Sequence, residues 1–355
     1  MSSVLTYLLL PFSWLYASVM AVRNWLYTKG LKASSRFGVM PVLNVGNLRV
    51  GGTGKTPHVA WLVHELQRQG QRPAILSRGY GRRTRGFRLG NPQETAATFG
   101  DEPLQHYQDF RGQVPVAVCE DRQAGLRELL RAEPGLSAVV LDDAYQHRRV
   151  QPDFSVLLTE QHRPFYQDYV LPAGRLRESR SGASRADVVI VTKCDGGLTA
   201  TQQQEIERRI RRYARPEVPV LFSTYAYGAP VPLAGSSTSE AACGPEIVLL
   251  TGIAQPGPLR DYLVAAGFRI MHHAAFPDHH AFTPTEIAGV AAHCGPGQCI
   301  FTTQKDATRL LAPALHTEIA RLSVFYIPIT VEFLADGAER LRQLLPTAFQ
   351  PQAVV

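Results

Sequence analysis

The chain has 355 residues, a formal net charge of +7, and 45% hydrophobic and 19% charged residues. This length supports two domains, each with its own core, and the balance is that of an ordinary globular α/β protein. The excess charge is arginine, clustered between Arg78 and Arg88 and between Arg175 and Arg185. It suits an anionic partner: a phospholipid surface, a nucleic acid or a phosphorylated substrate. Five cysteines, at 119, 194, 243, 294 and 299, form no CxxC pair. That odd, unpatterned count excludes a disulfide framework and points to free thiols in a reducing compartment. Cys294 and Cys299 beside His293 are the one conceivable metal cluster, and no zinc site is expected.

Residues 4–22 carry no charge, and Arg23, Lys29, Lys32 and Arg36 follow. A secretory signal would carry its positive charge before the apolar run. The run is about as long as a minimal membrane span. Pro11, Ser13 and Ser18 interrupt it, and Trp14, Tyr16, Trp25 and Tyr27 favour an interface. Three readings stand: a short span with the body on the cytoplasmic side, a helix lying in the interface, or a helix packed on the domain.

An apolar strand-like run at 41–45 leads into Gly46-Asn47-Leu48-Arg49-Val50-Gly51-Gly52-Thr53-Gly54-Lys55-Thr56, and a helix-like run follows at 57–66. A Gly-rich turn between strand and helix directs backbone N–H groups into one concavity that cradles phosphate oxygens. Gly51, Gly52, Thr53 and Gly54 form that cradle. Lys55 reaches the β/γ-phosphates, and the Thr56 hydroxyl is placed to bind Mg²⁺. Arg49 occupies the position where the common pattern has its first glycine.

Strands are expected at 42–45, 74–77, 114–119, 138–141, 155–158 and 188–192, with helices at 58–69, 102–110, 121–132 and 202–214. This alternation is that of a mostly parallel sheet. A loop at 229–245, rich in small residues, precedes a second β/α series: 247–251, a helix at 259–266, runs at 283–293 and 298–302, and 323–329. The tail after Thr347 is expected to fray. The expected division is an N-terminal membrane-associating helical segment (1–36), a P-loop domain (37–222), a linker (223–246) and a smaller α/β domain (247–350).

The run 138–143 is an apolar strand ending in Asp142 and Asp143. A P-loop protein keeps its Mg²⁺-organising aspartate at such a place. Thr192-Lys193-Cys194-Asp195 resembles the base-reading element of P-loop GTPases. A GTPase, however, needs glycine three residues after its Mg²⁺ aspartate, and Tyr145 and Gln146 stand there. Asp101-Glu102 after Gly100 reads as a helix cap or as carboxylates aimed at the γ-phosphate. Asp278-His279-His280 reads as a metal ligand, a cap or half of an acid/base pair; spacing alone does not choose.

Together these motifs resemble the tetraacyldisaccharide 4′-kinase family. The matching stretches are 45–48 with 50–57, Ser77-Arg78-Gly79-Tyr80-Gly81-Arg82, Gly100-Asp101-Glu102-Pro103 and Leu141-Asp142-Asp143-Ala144-Tyr145-Gln146-His147. They continue through Leu171-Pro172-Ala173-Gly174-Arg175-Leu176-Arg177-Glu178, Phe276-Pro277-Asp278-His279-His280 and Thr302-Thr303-Gln304-Lys305-Asp306. The family's P-loop also lacks the distal glycine. Ala144 and Tyr145 replace its usual Gly-Phe.

The resemblance implies ATP- and Mg²⁺-dependent phosphorylation of the 4′-hydroxyl of a tetraacylated glucosamine disaccharide 1-phosphate. The place would be the cytoplasmic face of the inner membrane, and a hinge would join the two domains. It implies Asp101 as base with His279 as its partner, and Thr56 with Asp142, Asp143 or Glu178 around Mg²⁺. Arg78, Arg82 and Arg177 are the candidates to grip phosphate. The expected partners are ATP, the anionic glycolipid and the membrane surface, not nucleic acid, and the expected state is a monomer. Two rivals are a regulatory GTPase and a membrane ATPase without a phosphoryl acceptor.

Overall fold

The structure is a computed structural model that describes residues 3–237, 243–295 and 297–348. Strand β1 (Val42–Asn47) is buried along its whole length. Burial on both faces is what a covered parallel sheet imposes, so its strands read as unbroken apolar runs. β1 lies inside a nine-stranded sheet. On one side follow β5 (Ala138–Asp142), β2 (Pro73–Ser77), β4 (Val116–Val118) and β3 (Arg88–Leu89). On the other follow β6 (Phe154–Glu160), β7 (Val188–Thr192), β8 (Val220–Tyr227) and β14 (Ile329–Phe333). Only the two edge strands run antiparallel to their neighbours.

Alternate residues serve opposite faces. Leu43, Val45, Val140, Val156 and Ile190 pack on Val59, Leu62, Val63 and Leu66 of α2 (Lys55–Arg68), on Leu104 of α4 (Asp101–Asp109) and on Leu341 and Leu345 of α11 (Gly337–Ala348). Val42, Leu76, Val139 and Leu141 pack on Leu126 and Leu129 of α5 (Arg122–Ala132). Leu157, Val189 and Val191 pack with Ile210 of α6 (Ala200–Ile210). The short turn α3 (Ala96–Phe99) precedes α4.

A second sheet has the order β11 (Arg269–Ala275), β10 (Glu246–Thr251), β12 (Cys299–Thr303), β13 (Val324–Ile327) and β9 (Val231–Pro232), with β9 alone antiparallel. Helices α7 (Gly257–Ala265), α8 (Pro284–Ala291), α9 (Gln304–Leu310) and α10 (His316–Ile319) connect its strands.

This topology corrects the expected division at 222/223 and 247. β8 continues to Tyr227 as part of the large sheet, and β14 and α11 return to that unit after β13. The chain therefore crosses between the sheets twice, at Gly228 and at Pro328, where the Gly228 N–H donates to the Pro328 carbonyl at 2.9 Å. The cause is the edge of β8, which β14 covers by pairing. The expected loop at 229–245 contains β9; its residues 238–242 and the tail 349–355 lie outside the described residues.

Helix α1 (Ser3–Thr28) runs along the large unit. Its inner face is docked by Ser13 Oγ accepting from the Ala173 N–H at 2.9 Å, and by Tyr16 Oη donating to the Arg177 carbonyl at 3.1 Å. Leu8, Phe12, Leu15, Val19 and Val22 are exposed along it, with Trp14 and Trp25. Among the described residues no helix is long and apolar enough to cross a membrane. The polar inner face of α1 is used in docking, so the helix is not apolar all round.

Leu66 is fully buried between α2 and the sheet. Leu66→Ala is expected to cost about 2–5 kcal/mol, read as a lower urea midpoint. An unchanged midpoint would contradict this packing.

Candidate active site

In both sheets the polar groups collect at the carboxyl ends of the parallel strands, where open α/β sheets bind ligands. The P-loop leaves β1 with Gly51 at φ +110° and reaches α2 through Gly54 at φ +88°, a left-handed conformation that suits glycine. Open space surrounds a Cβ built on Gly51 or Gly52, so the loop's concave side can take a ligand. Asn47 Nδ2 donates to Thr53 Oγ1 at 2.7 Å and fixes the loop from inside. Lys55 and Thr56 open α2, where the N–H groups have no carbonyl partner within the helix.

The structure explains the unusual Arg49. Its side chain is buried; Nε donates to Asp168 at 2.7 Å and Nη1 to the Arg163 carbonyl at 2.8 Å. Lys193 donates to the Gly52 carbonyl at 2.6 Å and pairs with Glu160, and Thr192 Oγ1 donates to the Thr53 carbonyl at 3.0 Å. The segment that resembles a base-reading element therefore buttresses the P-loop.

The paired aspartates that end β5 diverge. Asp143 sits at φ +51° and turns to the surface of the loop. It accepts both Arg177 Nη1 at 2.8 Å and Nη2 at 3.1 Å, and Lys55 Nζ lies 3.6 Å away. Burial works against its charged form, but the Lys55 and Arg177 charges outweigh it and hold the carboxyl below the usual range. Asp142 is buried. Its Oδ2 accepts a long bond from Ser77 Oγ at 3.4 Å, and its Oδ1 has no partner among the described residues. An orphaned buried carboxylate oxygen is a fit place for a cation.

Two expected site residues already have protein partners. Glu178 is fully buried and accepts from Asn24 at 2.6 Å, Gln146 at 3.1 Å and Arg185 at 2.7 Å. It docks α1, and both its oxygens are engaged by these donors, unlike the orphaned Oδ1 of Asp142. Arg82 is 2% exposed and bound to Glu120 and the Gly86 carbonyl, both at 2.6 Å, so it braces its own loop and does not grip phosphate. Among the described residues no group of three or more His, Cys, Asp or Glu is gathered as a metal cage. Arg78 is exposed and makes no hydrogen bond or ion pair among the described residues. Its charge and burial lower the neighbouring Arg122, burial first, to about 10. Arg122, whose Nη2 reaches the Asp143 carbonyl at 3.4 Å, was not foreseen.

Asp101 opens α4 behind Gly100, which has φ +97° and lies so close to Gly79 that a Cβ would meet its Cα at 3.1 Å. The carboxylate reaches the second sheet. His279 Nδ1 lies 2.9 Å from Asp101 Oδ2, and Arg309 Nε and Nη2 donate to the same oxygen at 2.9 and 2.7 Å. Burial works to raise the Asp101 carboxyl, but the hydrogen bonds from His279 and Arg309 and the Arg309 charge bring it down to about 2. His279 sits at φ +61°, a left-handed residue that aims its ring at α4. His280 turns away, stacks on Phe276 and bonds Glu286 at 3.0 Å. Of the two histidines, only His279 contacts Asp101 among the described residues. Arg309 was missed because it lies beyond the recognised Lys305-Asp306 stretch, one helical turn on.

A phosphate-binding turn, paired aspartates at the next strand end and a carboxylate–imidazole pair define a P-loop phosphotransferase site. The model of the tetraacyldisaccharide-1-P 4′-kinase family matches residues 5–350. The tetraacyldisaccharide 4′-kinase of Bacteroides thetaiotaomicron is 41% identical over 351 residues, covering 94% of this chain and 91% of that protein. That of Cytophaga hutchinsonii is also 41% identical, covering 94% and 93%. The crystal structure of "apo" form LpxK from Aquifex aeolicus in complex with ATP superposes with a TM-score of 0.75 at 28% identity, covering 98% of this chain and all of that one. The chain belongs to the tetraacyldisaccharide-1-phosphate 4′-kinase family, the kinases of lipid A biosynthesis.

Two outcomes follow from the site's histidines. His279→Ala is expected to cut turnover at least about a hundredfold, the size of a lost acid–base partner. His280→Ala should stay within about threefold, and the reverse order would contradict the assignment. His58 bridges the P-loop and β8, with Nδ1 2.7 Å from the Gly54 carbonyl and Nε2 3.0 Å from Ser223 Oγ. Burial lowers it from 6.5 to about 4. Its stabilisation is complete above pH 6.5. It drains as the pH falls from 6.5 towards 4, because the unfolded chain takes the proton first. Urea midpoints of His58→Gln should therefore vary less across that window than those of the parent; equal slopes would contradict this.

Proposed function

We propose that this protein transfers the γ-phosphoryl group of ATP to the 4′-hydroxyl of a tetraacyl-disaccharide 1-phosphate, with Asp101 as the base. The observation that carries the reading is Asp101 itself, an ionised carboxylate paired to His279 on the edge that also carries the P-loop. In the step, the hydroxyl oxygen attacks the γ-phosphorus and the bridging P–O bond to ADP breaks. The hydroxyl proton passes to Asp101. The loop N–H groups, Lys55 and Arg177 stabilise the charge on the transferring group. Thr56, Asp142 and Asp143 are the residues that would hold Mg²⁺, which when bound neutralises phosphate charge. The reading of Asp142 is supported by its orphaned Oδ1.

A membrane-surface location on the cytoplasmic face is supported by α1. Its outer side is apolar and exposed, while its inner side touches the site: Tyr16 holds the Arg177 carbonyl and Arg23 Nη2 donates to the Gln146 carbonyl at 2.9 Å. At its foot, Arg23, Tyr27, His147, Arg148 and Arg149 line a cavity of about 270 Å³ with Glu120 and Asp121. Such a rim of guanidinium groups suits an anionic lipid headgroup beside the helix. The small unit, from β9 to β13, would close over the nucleotide by rotation at Gly228 and Pro328. A single copy holds every group named, which supports a monomer.

The test is transfer of labelled γ-phosphate from ATP to the purified lipid in mixed micelles, with and without Mg²⁺. A Mg²⁺-dependent doubly phosphorylated lipid is expected. Steady ATP hydrolysis without lipid product would overturn the reading and favour a membrane ATPase. In Lys55→Ala both ATP affinity and turnover should fall at least tenfold, and an unaltered ATP affinity would contradict the P-loop role.

A further inference from the structure

We infer that Arg309 is a positioning residue for the phosphoryl-transfer step: its guanidinium fork occupies one oxygen of Asp101 from the opposite sheet and leaves the other to receive the proton. The inference rests on the reading of Asp101 as base.

The Arg309 side chain is 4% exposed. Two of its nitrogens, Nε and Nη2, converge on Asp101 Oδ2. The third, Nη1, points the other way, to Asp306 Oδ1 at 2.8 Å and the Gly252 carbonyl at 3.0 Å. Asp306 is itself fully buried, with Oδ2 accepting from the Gly252 N–H at 2.9 Å and Thr303 Oγ1 at 2.7 Å. The fork is therefore anchored to the small sheet before it touches Asp101. With His279 also on Oδ2, that oxygen has three donors, and Oδ1 accepts no hydrogen bond among the described residues.

Lys305 completes the arrangement. Its Nζ lies 3.0 Å from His279 Nε2. An ammonium only donates, so Nε2 accepts and Nδ1 carries the hydrogen that faces Asp101, which leaves Arg309 Nη2, 3.3 Å from Nδ1, a contact and not a bond to it. Asp278, 3.6 Å from Lys305 Nζ, shares that cation. A second bond ties the same two helices: Gln304 Nε2 donates to Asp109 Oδ1 at 2.6 Å. Helix α9 thus grips α4 near both ends, and Asp101 acquires its geometry only when the two sheets face each other. The charged groups around Asp101 are Arg309 and His279 in contact, Lys305, Asp278 and Asp306 behind them, and Glu102 beside it on α4.

A merely structural ion pair would hold the sheets together and leave the chemistry's pH dependence alone. A positioning fork does both, because a base must be ionised to act and the Arg309 charge favours that form. Removing the charge lifts the Asp101 carboxyl from about 2 towards the ordinary range, so activity is lost at a higher pH on the acid side.

The experiment compares full-length Arg309→Gln and Arg309→Lys with the parent in micellar phosphoryl transfer from pH 8 down to about pH 2, so that the acid limb of the parent is sampled. For Arg309→Gln, kcat should fall about a hundredfold with KM for ATP within about threefold, and the acid limb should move up. Arg309→Lys keeps the charge but not the fork. Its acid limb should stay at the parental position while kcat falls severalfold. A parental kcat in either variant, or a fall in Arg309→Gln with the acid limb unmoved, overturns the inference. If Arg309→Gln does not melt cooperatively, Arg309→Lys decides alone: a parental kcat or a shifted limb overturns it. Asp101→Asn separates the two readings, since transfer retained there removes the base assignment itself, whereas loss there with a normal Arg309→Gln removes only this inference.

Discussion

The site depends on one electrostatic match at the carboxyl edge of the large sheet. A loop of backbone N–H groups, the start of α2 and the Lys55 ammonium concentrate positive potential at the end of β1. The strand beside it, β5, ends in Asp142 and Asp143, and register places Val45 opposite Asp142. Asp143 balances Lys55 and Arg177, and Asp142 keeps an unshared oxygen beneath them. Without the paired aspartates the cationic loop would repel Arg122, Arg177 and Arg78; without the loop the carboxylates would be buried with too little countercharge.

The second sheet supplies what this edge lacks. Its own carboxyl edge carries His279 and Arg309, which meet Asp101 at the start of α4. The carboxylate proposed as base is therefore held across the two units: it belongs to one, and its hydrogen-bond donors belong to the other. Two crossings, at Gly228 and Pro328, join the units, and they lie side by side. The two units are thus joined through a narrow seam.

Much of this was legible in the sequence. The strand–turn–helix around Lys55 and the aspartates ending an apolar strand each carry a local pattern tied to a chemical demand, whereas the pairing of Asp101 with His279, 178 residues apart, came only from the family resemblance. The losses have physical causes. Glu178 and Arg82 look like site residues in sequence because burial cannot be seen there; both are consumed by partners from distant segments, Asn24 with Arg185 and Glu120. β8 was missed because its second half faces β14, a strand about a hundred residues later, and only that pairing makes an exposed-looking Thr-Tyr-Ala-Tyr run a strand. Arg309 escaped for the same reason: its importance lies in a contact across the sheets.

The most direct test of the proposed base is a single-turnover measurement on Asp101→Ala, with nucleotide affinity measured on the same sample. The account expects ATP binding within a few-fold of the parent and a rate of phosphoryl transfer to the lipid at least a hundredfold lower. A parental transfer rate would contradict it and leave the Asp101–His279–Arg309 cluster as a structural seam.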